Sequence, residues 1–271
     1  MHPSARWLFP LILVLVIAAG GYYLWQLRQH REPEAPAPSV APSPPAPAPP
    51  SAAETVQHPI EEAGPENKAA PLPALGESDA ALHDALVAIF SKSALAQYFI
   101  FDGFVRRVVA TVDALPRKSV PLRVLPFKPV PGRFLTSGQG DGLQVSRENA
   151  ARYTPYVRVA EAVDTRRLVE VYVRFYPLFQ QAYVELGYPN GYFNDRLIVA
   201  IDNLLAAPEV PDNVRLTQPK VLYAYADPEL EALSAGQKMM LRMGGENEAR
   251  VKAKLRDIRR ALTAKGAQPS P

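Results

Sequence analysis

Glu185 and Asp195 are the two carboxylates best placed in the sequence to share acid–base work, one at the middle and one near the end of "FYPLFQQAYVELGYPNGYFNDRL", Phe175 to Leu197. In a paired-carboxylate hydrolase one such group protonates the leaving group and the other activates water. Arg174, Gln181, Asn194 and Arg196 flank them and are the candidate binding residues. Gln181 and Glu185 are four apart, so a helix puts them on one face, and a turn after Tyr188 brings Asn194 and Asp195 back toward that end. A structural reading competes with the catalytic one and is favoured. Polar residues in such a stretch commonly satisfy turn amides and lock a helix–turn–helix junction. On that reading Asn194 or Asp195 bonds amides at the start of the next helix, and Gly191 takes a backbone conformation costly for other residues.

Other chemistries lack their residues. The chain has no cysteine and four histidines, of which His2, His30 and His58 precede the folded part, leaving His83 alone within it. Zinc sets and Ser-His or Cys-His nucleophile pairs cannot be assembled from that stock. No Asp-rich loop has calcium spacing, so no metal and no cofactor is expected. The glycines of "SGQGDGLQVS" lead into an extended piece, whereas a phosphate loop needs a helix directly after it. Arg256, Arg259 and Arg260 lie on a C-terminal helix that also carries Glu246, Glu248 and Asp257. A solvated face accounts for that pattern; an envelope protein or other anionic surface is the alternative partner. A net charge of +3 with no DNA- or RNA-reading motif gives no reason to expect nucleic acid.

The elements that must position these residues are mainly α-helical, with one or two small β-hairpins, in a compact domain spanning 75–265. Ser78 is placed to cap a first helix carrying Leu82, Leu86, Ile89 and Phe90 on one face, with Asp79 near its positive end. "FDGFVRRVVATVDALP" is a second helix that stops before Pro116, and the proline-rich stretch after it is an extended connector. From Asp164 to Tyr188 two apolar stripes run side by side, one through Leu168, Tyr172, Phe175 and Phe179, the other through Val169, Val173, Tyr176 and Tyr183. A helix apolar on both flanks is the central one. Gly187 suits its end, Pro189-Asn190-Gly191 the turn, and Leu197, Ile198, Ile201, Leu204 and Leu205 the next helix. Hairpins are expected around Asp141-Gly142 and Gln218-Pro219, and Ser234 with Gln237 has capping-box spacing.

Ahead of the domain, residues 7–27 carry no charge and are long enough to cross a hydrocarbon core as a helix. Trp7 at one end and Tyr22, Tyr23 and Trp25 at the other suit the two headgroup levels. The alternative is a signal peptide cut near Ala18-Ala19-Gly20, against which apolar residues continue past that point. A head of residues 1–6 precedes the span. Residues 28–74 read as a disordered Pro/Ala-rich linker, which at about 3.1 Å per residue spans on the order of 100 Å. Residues 266–271 are a flexible tail. The basic residues flanking the span nearly balance, so the layout of head, span, spacer and domain decides the topology. The expectation is a single-pass bacterial inner-membrane protein, anchored through residues 7–27, with its C-terminal domain in the periplasm.

"LPR" at Leu115–Arg117, "RYTPYV" at Arg152–Val157, "YVRFYPLFQQAYVELGYPNGYFNDRL" at Tyr172–Leu197 and "YAYADPELEALSAGQKMMLRMG" at Tyr223–Gly244 occur together. With them the chain resembles the proteobacterial membrane-anchored family known as domain of unknown function 3014. The resemblance runs from about Leu75 to Leu262 and implies an anchor, a linker and a domain with no assigned activity. No catalytic residue comes with it. The function expected is that of an envelope interaction or scaffold module, with a carboxylate-dependent envelope hydrolase using Glu185 and Asp195 as the alternative.

Overall fold

The computed structural model describes residues 56–60, 71–210, 213–219 and 221–264. The expected head, membrane span, tail and most of the expected linker lie outside the described residues. Among the described residues no helix is long and apolar enough to cross a membrane.

Nine α-helices and two short hairpins are described. Helices α1 (Ser78–Val87), α2 (Lys92–Tyr98) and α3 (Phe104–Ala114) come first, followed by the hairpin of β1 (Thr136–Ser137) and β2 (Gln144–Val145). Then come α4 (Asn149–Ala162), α5 (Thr165–Glu185) and α6 (Phe193–Leu205), and a second hairpin of β3 (Leu216–Thr217) and β4 (Ala224–Tyr225). The chain closes with α7 (Pro228–Ala232), α8 (Ala235–Arg242) and α9 (Gly245–Ala264). Both hairpins are antiparallel, Thr136 facing Val145 and Leu216 facing Tyr225. Backbone bonds from Val145 N to Val214 O and from Leu216 N to Leu143 O lay one hairpin against the other.

Helix α5 is the hub, as its two stripes require. Phe175, Tyr176, Leu178, Phe179, Ala182 and Tyr183 face a core shared with α1, α2, α3 and α6, and Val169 enters another with Ile198, Ile201 and Leu262. A third core gathers Val145, Val157, Leu216, Tyr225, Met240 and Leu241 under the hairpins. Leu186, which continues the spacing of the first stripe, is exposed, because it lies past the last turn of the helix.

Helix starts follow side-chain chemistry. Asp164 accepts from Arg167 N, and Ser234 and Gln237 form the expected reciprocal box. Ser78 is not a cap: it is the first residue of α1, and its hydroxyl donates to Leu75 O. Asp79 does not serve its own helix either. Its carboxylate reaches 24 residues along the chain and accepts from Gly103 N (2.7 Å) and Phe104 N (2.9 Å), capping α3. Helix α4 was not expected, since Pro155 interrupts its pattern. It exists through its neighbour α9, from which Asn247 donates to Ala150 O.

Candidate functional site

The turn between α5 and α6 is locked by Gln180, a residue of α5. Its amide nitrogen donates to Gly191 O (2.8 Å), while its oxygen accepts from Phe193 N (2.8 Å) and the Tyr176 hydroxyl (2.9 Å). Gln180 thus supplies the α6 cap expected of Asn194 or Asp195, because a side chain rising from the neighbouring helix meets the orphan amide first. Gly191 is needed for closeness rather than for an unusual backbone: it has no positive φ, and a Cβ there would lie 2.8 Å from the Tyr183 ring. Gly187, at φ 117°, ends α5 as expected.

Freed from capping, Asn194 and Asp195 take another task. Asn194 is wholly buried, accepts from the Tyr172 hydroxyl (3.1 Å) and donates to His58 O (2.9 Å). The Asp195 carboxylate accepts from Gln57 N (3.0 Å) and His58 N (2.7 Å), and the Tyr192 hydroxyl accepts from Ile60 N (2.7 Å). The Ile60 side chain, 7 % exposed, joins the core shared by α1, α3 and α5. Residues 57–60 belong to the stretch read as linker, yet here they are held by main-chain bonds from more than 130 residues away.

The other candidates are dispersed. Glu185 is bound by Arg106 of α3 at 2.9 Å and by Gln181 at 3.0 Å, and the Arg106 guanidinium holds its carboxyl below the usual range. Glu185 and Asp195 therefore answer to separate partners and share none in common. Arg196 pairs with Asp113 (3.1 Å), which also receives Arg117 (2.7 Å) and the Tyr188 hydroxyl (3.4 Å). Asp113, 7 % exposed, was overlooked in the sequence, although the "LPR" arginine four residues later was a usable sign of it. Arg174 is exposed beside the Phe175 ring. On α9, Arg259 forms a two-armed pair with Asp202, Arg260 pairs with Asp257, and Arg256 is exposed. His83 packs edge-on against Phe101.

Two concavities of about 530 and 560 Å³ are lined by Thr165, Arg166, Asp257 and Arg260 and by Arg117, Asn203, Ser234 and Gln237 among others. Neither contains Glu185 or Asp195.

Burial pushes the Tyr172 and Tyr176 phenols well up from their ordinary value. A raised folded value means stability that is full below the unfolded phenol's pKa, about 10, and declines as pH rises toward the folded one. The chain should therefore lose up to about 1.4 kcal/mol per pH unit for Tyr172 above about pH 10. Equilibrium unfolding of the chain and of Tyr172→Phe across that window isolates the effect; parallel curves would count against it.

No curated protein and no solved structure matched the chain. The family pattern described as protein of unknown function (DUF3014) matches residues 104–259, more than half of the sequence, from the start of α3 to Arg259. That span takes in Asp113, Gln180, Tyr192, Asn194 and Asp195, and the chain belongs to this family.

Proposed function

We propose that the protein is a single-pass envelope protein, anchored through residues 7–27, whose helical domain is an interaction module on the periplasmic side. One observation supports the module over the hydrolase: the polar residues of the signature stretch are spent on holding chain. Asn194, Asp195 and Tyr192 grip a main-chain segment, Arg196 and Tyr188 converge on Asp113, and Glu185 is paired with Arg106. A catalytic pair needs two carboxylates facing one reacting bond, and these two serve different neighbours. The exposed Arg256 and Arg260 leave α9 a basic face for an envelope protein or other anionic surface.

The uncharged run of residues 7–27 supports the anchor, and the Pro/Ala-rich stretch behind it supports a tethered domain. Paired C-terminal fusions to alkaline phosphatase and to a cytoplasmic fluorophore test the placement. Phosphatase activity with a dark fluorophore is expected; a bright fluorophore with silent phosphatase would reverse the topology.

A further inference from the structure

We infer that Tyr192, Asn194 and Asp195 form a receptor for a bent peptide main chain, occupied in this structure by the protein's own residues 57–60, which a peptide of the same pattern can replace. This deepens the interaction-module reading and rests on it for the choice of a peptide as ligand.

The bonds themselves define the ligand. Two successive N–H groups, at 57 and 58, meet the two oxygens of Asp195, and the carbonyl of 58 meets the Asn194 amide. The N–H of 60 meets the Tyr192 hydroxyl. No bond is asked of the nitrogen of residue 59, and Pro59, which has no N–H to offer, stands there with its φ already fixed. The one side chain taken into the core is Ile60, whereas Val56, Gln57 and Pro59 are exposed. The recognised pattern is two residues with free amides, then a position open to proline, then a large apolar residue. Main-chain bonds supply the attachment and the one buried side chain supplies the selectivity, a division of labour shared with other peptide receptors.

The geometry also suits exchange. Asp195 is only partly buried, and its two amide bonds are charge-assisted but near solvent. Ten residues, 61–70, join this segment to the body of the domain. A short connection of that kind holds a segment at an effective concentration on the order of millimolar, so modest intrinsic affinity keeps the site filled. A competing peptide must overcome that concentration.

The test uses the full chain and a fluorescein-labelled VQHPI peptide with an amidated end, read by anisotropy. Ile60→Asp in the chain removes the apolar anchor of its own segment and should tighten peptide binding by about tenfold to a hundredfold over the unchanged chain. His58→Pro in the chain, which deletes one donor and leaves Ile60 in place, should act in the same direction should Ile60→Asp fail to fold. A VQPPI peptide, lacking the amide that meets Asp195, should not bind, and Asp195→Ala added to either opened chain should abolish binding. Equal affinity of the unchanged and opened chains, equal binding of VQPPI, or no binding at millimolar peptide would each overturn the proposal. The fusion reporters measure membrane placement separately, so failure here and failure of the topology are distinguishable.

Discussion

Lys252→Met should destabilise the domain by about 3–5 kcal/mol, the cost of leaving a buried charge without its partner. Lys252 and Glu248 are 4 % and 2 % exposed and stand one helical turn apart on α9, with Nζ 2.7 Å from Oε1. The same ammonium donates to Ala207 O at 2.6 Å, just past the end of α6, where orphan carbonyls concentrate negative partial charge. Removing the cation strands the carboxylate in the interior. Replacing both residues by methionine should recover most of the loss, since a well-packed apolar pair of similar volume is often as stable as a buried ion pair. Urea unfolding of the two single variants and the double variant forms the cycle. A Lys252→Met loss below about 1 kcal/mol would show that the pair is wet.

Phe193→Ala should cost about 3–5 kcal/mol, lowering the melting temperature by roughly 6–20 °C in a domain of this size. Phe193 is wholly buried and stacks on Phe179 with centroids 5.8 Å apart and planes 6° apart, while Tyr183 packs at 5.7 Å. Phe179→Ala belongs in the same range. Asp195→Ala should cost only about 0.5–2 kcal/mol, because its lost bonds serve a peripheral segment. Thermal unfolding ranks the three. Asp195→Ala as the most damaging would mean that residues 57–60 are integral to the core rather than laid upon it.

Where neighbours in sequence are neighbours in space, the sequence could be read well. The two stripes of α5, the reversal into α6 and the Ser234–Gln237 box rest on short sequence spacings and match the fold, and both hairpins form around their turn residues, though with loops longer than a two-residue turn. What escaped depends on partners far along the chain. Helix α4 carries Pro155 and stands because α9 lies against it, and Asp113 acquires Arg196 from 83 residues away. Ile60 is one of a few scattered apolar residues in a proline-rich run, and only the fold reveals the site that takes it. Glu248 reads as part of a solvated face, yet it is buried against Lys252, because charge on a helix says nothing about what covers it. The cap expected of Asn194 or Asp195 fails for a related reason: a packed neighbour, Gln180, reaches the amide first. Ser78 fails because the helix begins on it, and Asp79 caps a helix other than its own.

The reach of Asp79 separates two boundaries that are easily taken for one. The match to the family pattern begins at Phe104, whose own amide is held by a carboxylate 25 residues earlier. Leu82, Leu86 and Leu95, also before that limit, complete the core against Val105, Val109 and Phe175, and Leu262, beyond its other end, fills the core beside Val169. The stretch matched by the family pattern is thus shorter than the stretch that packs into these cores. A gene fragment trimmed to the recognisable part would encode a helix with a bare first turn and an apolar flank open to water. Leu82, Leu86, Leu95 and Leu262, all outside the matched span, belong to the same packed cores as the residues within it.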